Sequence, residues 1–175
     1  MLAATAFTAP NAAADQPIPW WQAPHPKLVH QLRQDIRLRR SRAVKRAWKL
    51  GKILHPVRRE RYTVDVPTLE AMDARWHARS HRYKLRLIRR APVYAALACI
   101  HSYEGSWDAY SPAGPYYGGY QMDPSFEASY GPGYVQLWGD ASNWPAAMQT
   151  AAAYRATRSV GYTPWPNSAA LCGLL

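Results

Sequence analysis

The 175-residue chain carries 22 Lys and Arg against 11 Asp and Glu, a formal net charge of +11, and is long enough for one domain with a sizeable core or one compact domain with an extended arm. The charge is divided: 20 of the 22 basic residues lie between Lys27 and Arg90, giving +14 before position 91 and −3 over residues 91–175. No run of 18 or more apolar residues occurs, which excludes a bilayer-spanning helix.

The first 14 residues are small and apolar and close on Ala12-Ala13-Ala14 before Asp15, as a cleavable secretory segment does. The positively charged opening of such a segment is missing, so a truncated signal peptide and an Ala-rich tail both fit. Residues 15–26 are proline-rich and read as an extended linker. From Lys27 to Gly51 the composition favours helix, but Leu28, Leu32, Ile36, Val44 and Trp48 drift around the axis. This predicts a solvated basic helix with a break near Ser41 and little core of its own. Pro56 and the β-prone Arg61–Pro67 interrupt the pattern. Thr68 is then the expected N-cap of a second helix, with Leu69, Met72, Trp76, Tyr83 and Leu87 on one face, ending before Pro92. Residues 27–90 thus form a basic helical arm.

Pro92 suits the first turn of a further helix, and Val93, Leu97, Ile100 and Glu104 follow at spacings of four, three and four before Gly105. On an ideal helix these four positions fall within about 60° of arc, which turns Glu104 toward the interior or a cleft. Asp108 to Gly119 is turn-rich and predicts a short hairpin or irregular flap. Pro124–Tyr130 and Trp144–Thr157 read as further helices. The closing stretch reads as a loop and a short helical turn that carries Cys172 back toward Cys99. These two cysteines belong to no Cys-x-x-Cys or Cys/His cluster, so nothing calls for a metal or cofactor. They form either one disulfide, worth about 4 kcal/mol on the chain-entropy model, or two free buried thiols.

Cleaving a glycosidic bond needs a carboxylic acid that stays protonated near neutral pH, and a glutamate partly desolvated beside aromatic rings is the usual means. Glu104 is the candidate, flanked by Tyr103 and Trp107 and followed by Tyr116, Tyr117 and Tyr120. The plainer alternative is a surface glutamate at the end of its own helix. His101 reads as a polar residue beside the groove, and neither Ser102 nor Ser106 has the strand-turn-helix setting of a serine nucleophile. Asp108 and Asp123 are the nearest second carboxylates. Asp123 precedes Pro124 and reads as a helix cap.

The segment from Cys99 to Gly131, with the distant Trp165-Pro166-Asn167-Ser168-Ala169-Ala170-Leu171-Cys172, resembles the transglycosylase-like domain of the resuscitation-promoting factors, within the lysozyme and lytic transglycosylase superfamily. The matching pieces are Glu104, Gly105 and Trp107, then Tyr116 through Gln121, then Trp165, Pro166 and Cys172, over about residues 94–175. The resemblance implies a mainly α, lysozyme-like (α+β) fold over residues 91–175. It implies that Glu104 protonates the oxygen between N-acetylmuramic acid and N-acetylglucosamine in peptidoglycan. Tyr103, Trp107, Tyr117, Tyr120, Gln121 and Trp165 would hold the glycan, Cys99 and Cys172 would pair, and no cofactor is needed. In the commonest family form the cysteine directly precedes the glutamate, whereas here five positions separate Cys99 from Glu104.

A secreted or wall-associated peptidoglycan glycosidase is the first expectation, and a non-catalytic peptidoglycan-binding protein is the rival. The +14 arm has reason to attract anionic wall polymers or a membrane surface, or to serve as a solubilising stalk. Nucleic acid is disfavoured, because no zinc-finger pattern is present and the charge avoids the half that holds the motif.

Overall fold

The computed structural model describes residues 18–54 and 63–175. The leader-like residues 1–14, the opening of the 15–26 linker and the start of the β-prone run at Arg61 lie outside them. The fold is mainly α-helical with one small hairpin.

Helix α1 (Pro26–Lys49) is continuous through Ser41 and buries Val29, Ile36, Ala43 and Ala47. These recur every seven, seven and four residues, so a stripe does exist. Two of its members are alanines, while Leu28, Val44 and Trp48 stand exposed. The small side chains permit a close approach, and the arm therefore has a core, made of Val29, Ile36 and Ala43 with Leu69, Met72 and Trp76. The expectation of a solvated helix without a core is corrected accordingly.

Helix α2 (Val66–Glu104) supplies the other side of that core. Asp65, not Thr68, caps it: the Asp65 carboxylate accepts the Thr68 N–H at 2.9 Å. The expected break before Pro92 is also absent, and one helix of 39 residues runs through it. Proline at this point removes the N–H that would bond the Ile88 carbonyl. Both residues are exposed, so the carbonyl left without its helical partner lies at the surface rather than in a core. Packing on either side of the proline, against α1 before it and the C-terminal core after it, keeps the helix whole.

The two long helices are parallel. Arg39 pairs with Asp73 at 2.8 Å, and Arg46 donates to the Ser80 carbonyl at 3.0 Å and to its Oγ at 2.7 Å. Both contacts link residues 34 positions apart, so the axes keep the same sense.

Beyond Glu104, β1 (Tyr110–Ser111) and β2 (Tyr116–Tyr117) pair antiparallel, with Tyr110 opposite Tyr117. Helix α3 (Pro124–Tyr130) starts at the Asp123 cap, and an unanticipated α4 (Pro132–Trp138) follows between Gly131 and Gly139. Helix α5 (Ala146–Val160) and helix α6 (Pro166–Leu171) complete a second core around Leu97, Ile100, Tyr120, Met148 and Trp165. Cys99 and Cys172 form a disulfide across 73 residues, which ties α6 to α2. The arm meets this core where Tyr134 donates its hydroxyl to the Gly51 carbonyl at 2.5 Å. Gly51 has φ +68°, and a Cβ there would lie 2.6 Å from the Tyr134 oxygen, so only glycine fits the junction. Among the described residues no helix is long and apolar enough to cross a membrane.

Candidate functional site

Glu104 is the last residue of α2, and the stripe Leu97, Ile100, Glu104 runs from fully buried to half-buried. The carboxylate therefore sits where the core meets solvent. Ser168, buried on α6, donates its Oγ hydrogen to Glu104 Oε1 at 2.5 Å. The bond fixes one oxygen of the carboxyl group.

Beside it lies the turn Gly118–Tyr120, which ends on Gln121. Gln121 is the only non-glycine among the described residues with positive φ (47°). Left-handed backbone costs an L-residue roughly 1 to 2 kcal/mol, and such strain gathers where surrounding structure over-determines a residue. The over-determination is visible. Gln121 Nε2 donates to the Gly118 carbonyl at 3.0 Å, and Tyr117 and Met122 exchange two backbone bonds of 2.9 Å.

A buried glutamine on α5 pins the same turn. Gln149 is fully buried, accepts the Gly119 N–H at 2.8 Å and donates to the Trp107 and Trp144 carbonyls at 2.7 and 2.9 Å. His101 completes the clamp. Its Nδ1 lies 2.8 Å from the Gly119 carbonyl, which can only accept, so Nδ1 carries the proton. Its ring stacks on Trp107 with centroids 3.7 Å apart. A Cβ on Gly119 would come within 2.6 Å of that nitrogen, so the close approach requires glycine here.

The residues expected to hold glycan separate into two groups. Tyr103 is exposed, Trp107, Tyr117 and Gln121 are half-buried, and Tyr116 adds an exposed ring beside them. Tyr120 and Trp165, by contrast, are 1% and 3% exposed and belong to the frame. Trp165 Nε1 donates to the Tyr120 carbonyl at 2.8 Å. Burial pushes the Tyr120 hydroxyl up to about 12, against a weak bond to Thr150. Their rings hold the turn that carries Gln121.

The other acids have fixed duties. Asp108 is exposed and its carboxyl is held below the ordinary range, first by the Ser106 hydroxyl. Asp123 is lowered first by the Ser125 hydroxyl and then by the Phe126 amide, as the α3 cap. Glu127, which no sequence motif singles out, is 4% exposed and accepts the Ala141 N–H at 2.6 Å. Burial pushes its pKa up to about 7; the amide bond opposes this, and the charges of Asp140 and Asp123 add to it. Its role is to anchor the turn Ala141–Asn143. Among the described residues no group of three or more His, Cys, Asp or Glu is placed to hold a metal ion.

Ser168, Gln149 and Glu127 were missed in the sequence. Gln149 did leave a trace, as the one amide in Ala146–Ala153, where five of the eight residues are alanine. No protein-family model, curated protein or solved structure matches the chain.

Proposed function

We propose that the protein is a secreted or wall-associated glycosidase that cleaves the β-1,4 bond between N-acetylmuramic acid and N-acetylglucosamine in peptidoglycan, with Glu104 as its acid and base. The observation that carries this reading is the setting of Glu104. It is a half-buried carboxylate at a helix end, held by one oxygen from Ser168 and flanked by a strained Gln121 turn and exposed tyrosines. The disulfide agrees with folding in an oxidising compartment.

In this mechanism Oε2 of Glu104 delivers a proton to the bridging oxygen while Ser168 keeps the carboxyl from rotating. With Asp108 and Asp123 committed to local hydrogen bonds, one carboxyl serves both halves of the reaction, and the sugar's N-acetyl group stabilises the cation. Glu104 then takes a proton either from the muramyl C6 hydroxyl, giving a 1,6-anhydro end, or from water, giving a reducing end. Tyr103, Trp107, Tyr117 and Gln121, exposed or half-buried, are the side chains proposed to meet the glycan.

The test is digestion of purified wall by the full chain, with zymography and mass spectrometry of the products. Wild type clears the gel and yields one of the two ends, and Glu104→Gln loses at least a hundredfold in rate. Full activity in Glu104→Gln rejects the assignment. Retention of wild type on the wall without clearing leaves a non-catalytic peptidoglycan-binding protein.

A further inference from the structure

The cations of the arm are sorted rather than scattered. On α2, Arg75, Arg79, Arg82, Arg86 and Arg89 recur at spacings of four, three, four and three, and all five are exposed. That alternation keeps them within about 80° of arc along roughly 21 Å of axis, one guanidinium every 4.5 to 6 Å or so. The acids of this part of the helix, Glu70 and Asp73, lie roughly 150° around the axis, and Asp73 is occupied there by Arg39. The flank is extended onto α1: Arg40 and Arg79 approach the same Trp76 ring, at 5.9 and 4.9 Å, which places the two helices' arginines on one side of the pair.

The residue type is as selective as the position. The single lysine of α2, Lys84, lies on the opposite side of the helix, and the stripe is arginine alone. A guanidinium offers a planar fork that fits two phosphate oxygens, which a lysine ammonium does not. The exposed Ile88 lies away from the stripe, and one large apolar side chain, the exposed Leu85, stands at its edge beside Arg82 and Arg89. A face of five cations with a single leucine at its edge suits a solvated polyanion better than a bilayer, where a broad buried apolar area contributes to binding.

We propose that this arginine face binds a linear phosphodiester polymer of the cell envelope, a polyol-phosphate chain. The choice of a wall polymer over nucleic acid, the other linear phosphodiester, rests on the extracellular reading above and on the Cys99–Cys172 disulfide. Binding itself does not depend on glycan cleavage.

The experiment titrates the full chain with purified poly(glycerol phosphate) at several salt concentrations. The variant Arg75→Gln/Arg82→Gln/Arg86→Gln/Arg89→Gln spares Arg79, which packs on Trp76. It binds at least tenfold more weakly at 0.1 M salt, and its log K against log salt slope is shallower by about 3, taking roughly 0.7 per lost contact. A control, Arg42→Gln/Lys45→Gln/Lys49→Gln/Lys84→Gln, removes the same charge from other sides of the arm and stays within threefold of wild type. All eight positions are exposed and glutamine is a good helix former, so both variants keep the wild-type circular dichroism; single Arg82→Gln gives a smaller loss in the same direction. Equal loss in both quadruple variants reduces the effect to net charge and overturns the proposal. So does tighter binding to duplex DNA or to phosphatidylglycerol vesicles at matched phosphate. Glu104→Gln binds the polymer as wild type does, which separates failure here from failure of the glycosidase reading.

Discussion

Glu127 shows how a single buried carboxyl sets a pH dependence. With its pKa raised to about 7 by burial, the folded chain holds a proton between the ordinary glutamate range and neutrality that the unfolded chain has released. Stability therefore falls as pH rises through that window, by roughly 3 kcal/mol for a shift of this size. Thermal melts from pH 5 to 8 should show the decline in wild type and a flat profile in Glu127→Gln, whose amide oxygen still accepts the Ala141 N–H. Ser168 is the matching test at the candidate site. A hydrogen bond of this kind contributes about 0.5 to 1.5 kcal/mol, so Ser168→Ala should lower the rate of wall digestion by up to about tenfold. Near-wild-type melting would show that the loss lies in orientation of Glu104.

At the scale of elements, α2 carries its own defect. Pro92 costs an interior helix turn about 3 kcal/mol relative to alanine, and both it and Ile88 are exposed, so an alanine there would disturb no buried contact. Pro92→Ala restores one backbone bond and should raise stability by about 1 to 3 kcal/mol, read as a higher denaturant midpoint. Elements fixed by neighbours in sequence were legible beforehand. The Asp123 cap with Pro124 gave α3 to the residue, and the four-three-four stripe gave the direction of Glu104. Elements fixed by distant partners were not. The core of α1 depends on alanines that signify burial only once α2 lies against them. Continuity through Pro92 depends on packing that no local rule contains. Ser168 meets Glu104 across 64 residues, a pairing with no spacing signature.

For the molecule as a whole, the disulfide closes a 73-residue loop around the second core. Its removal costs about 4 kcal/mol on the chain-entropy model. For a chain of this size that lowers the melting temperature by about 8 to 16 °C. Melts of wild type in reductant should coincide with those of Cys99→Ser/Cys172→Ser without it. The two cores are not independent, because one helix belongs to both and Gly51 seats the end of α1 against Tyr134. That shared rod has a mechanical corollary. From Arg75 and Arg89 to Glu104 the helix rises about 44 and 22 Å respectively. On the two proposals made above, a molecule moored by its arginines would work at a set radius: scission would be confined to a collar around each mooring point, and the spacing of anchor chains in the wall, more than diffusion of the protein, would decide where the mesh opens.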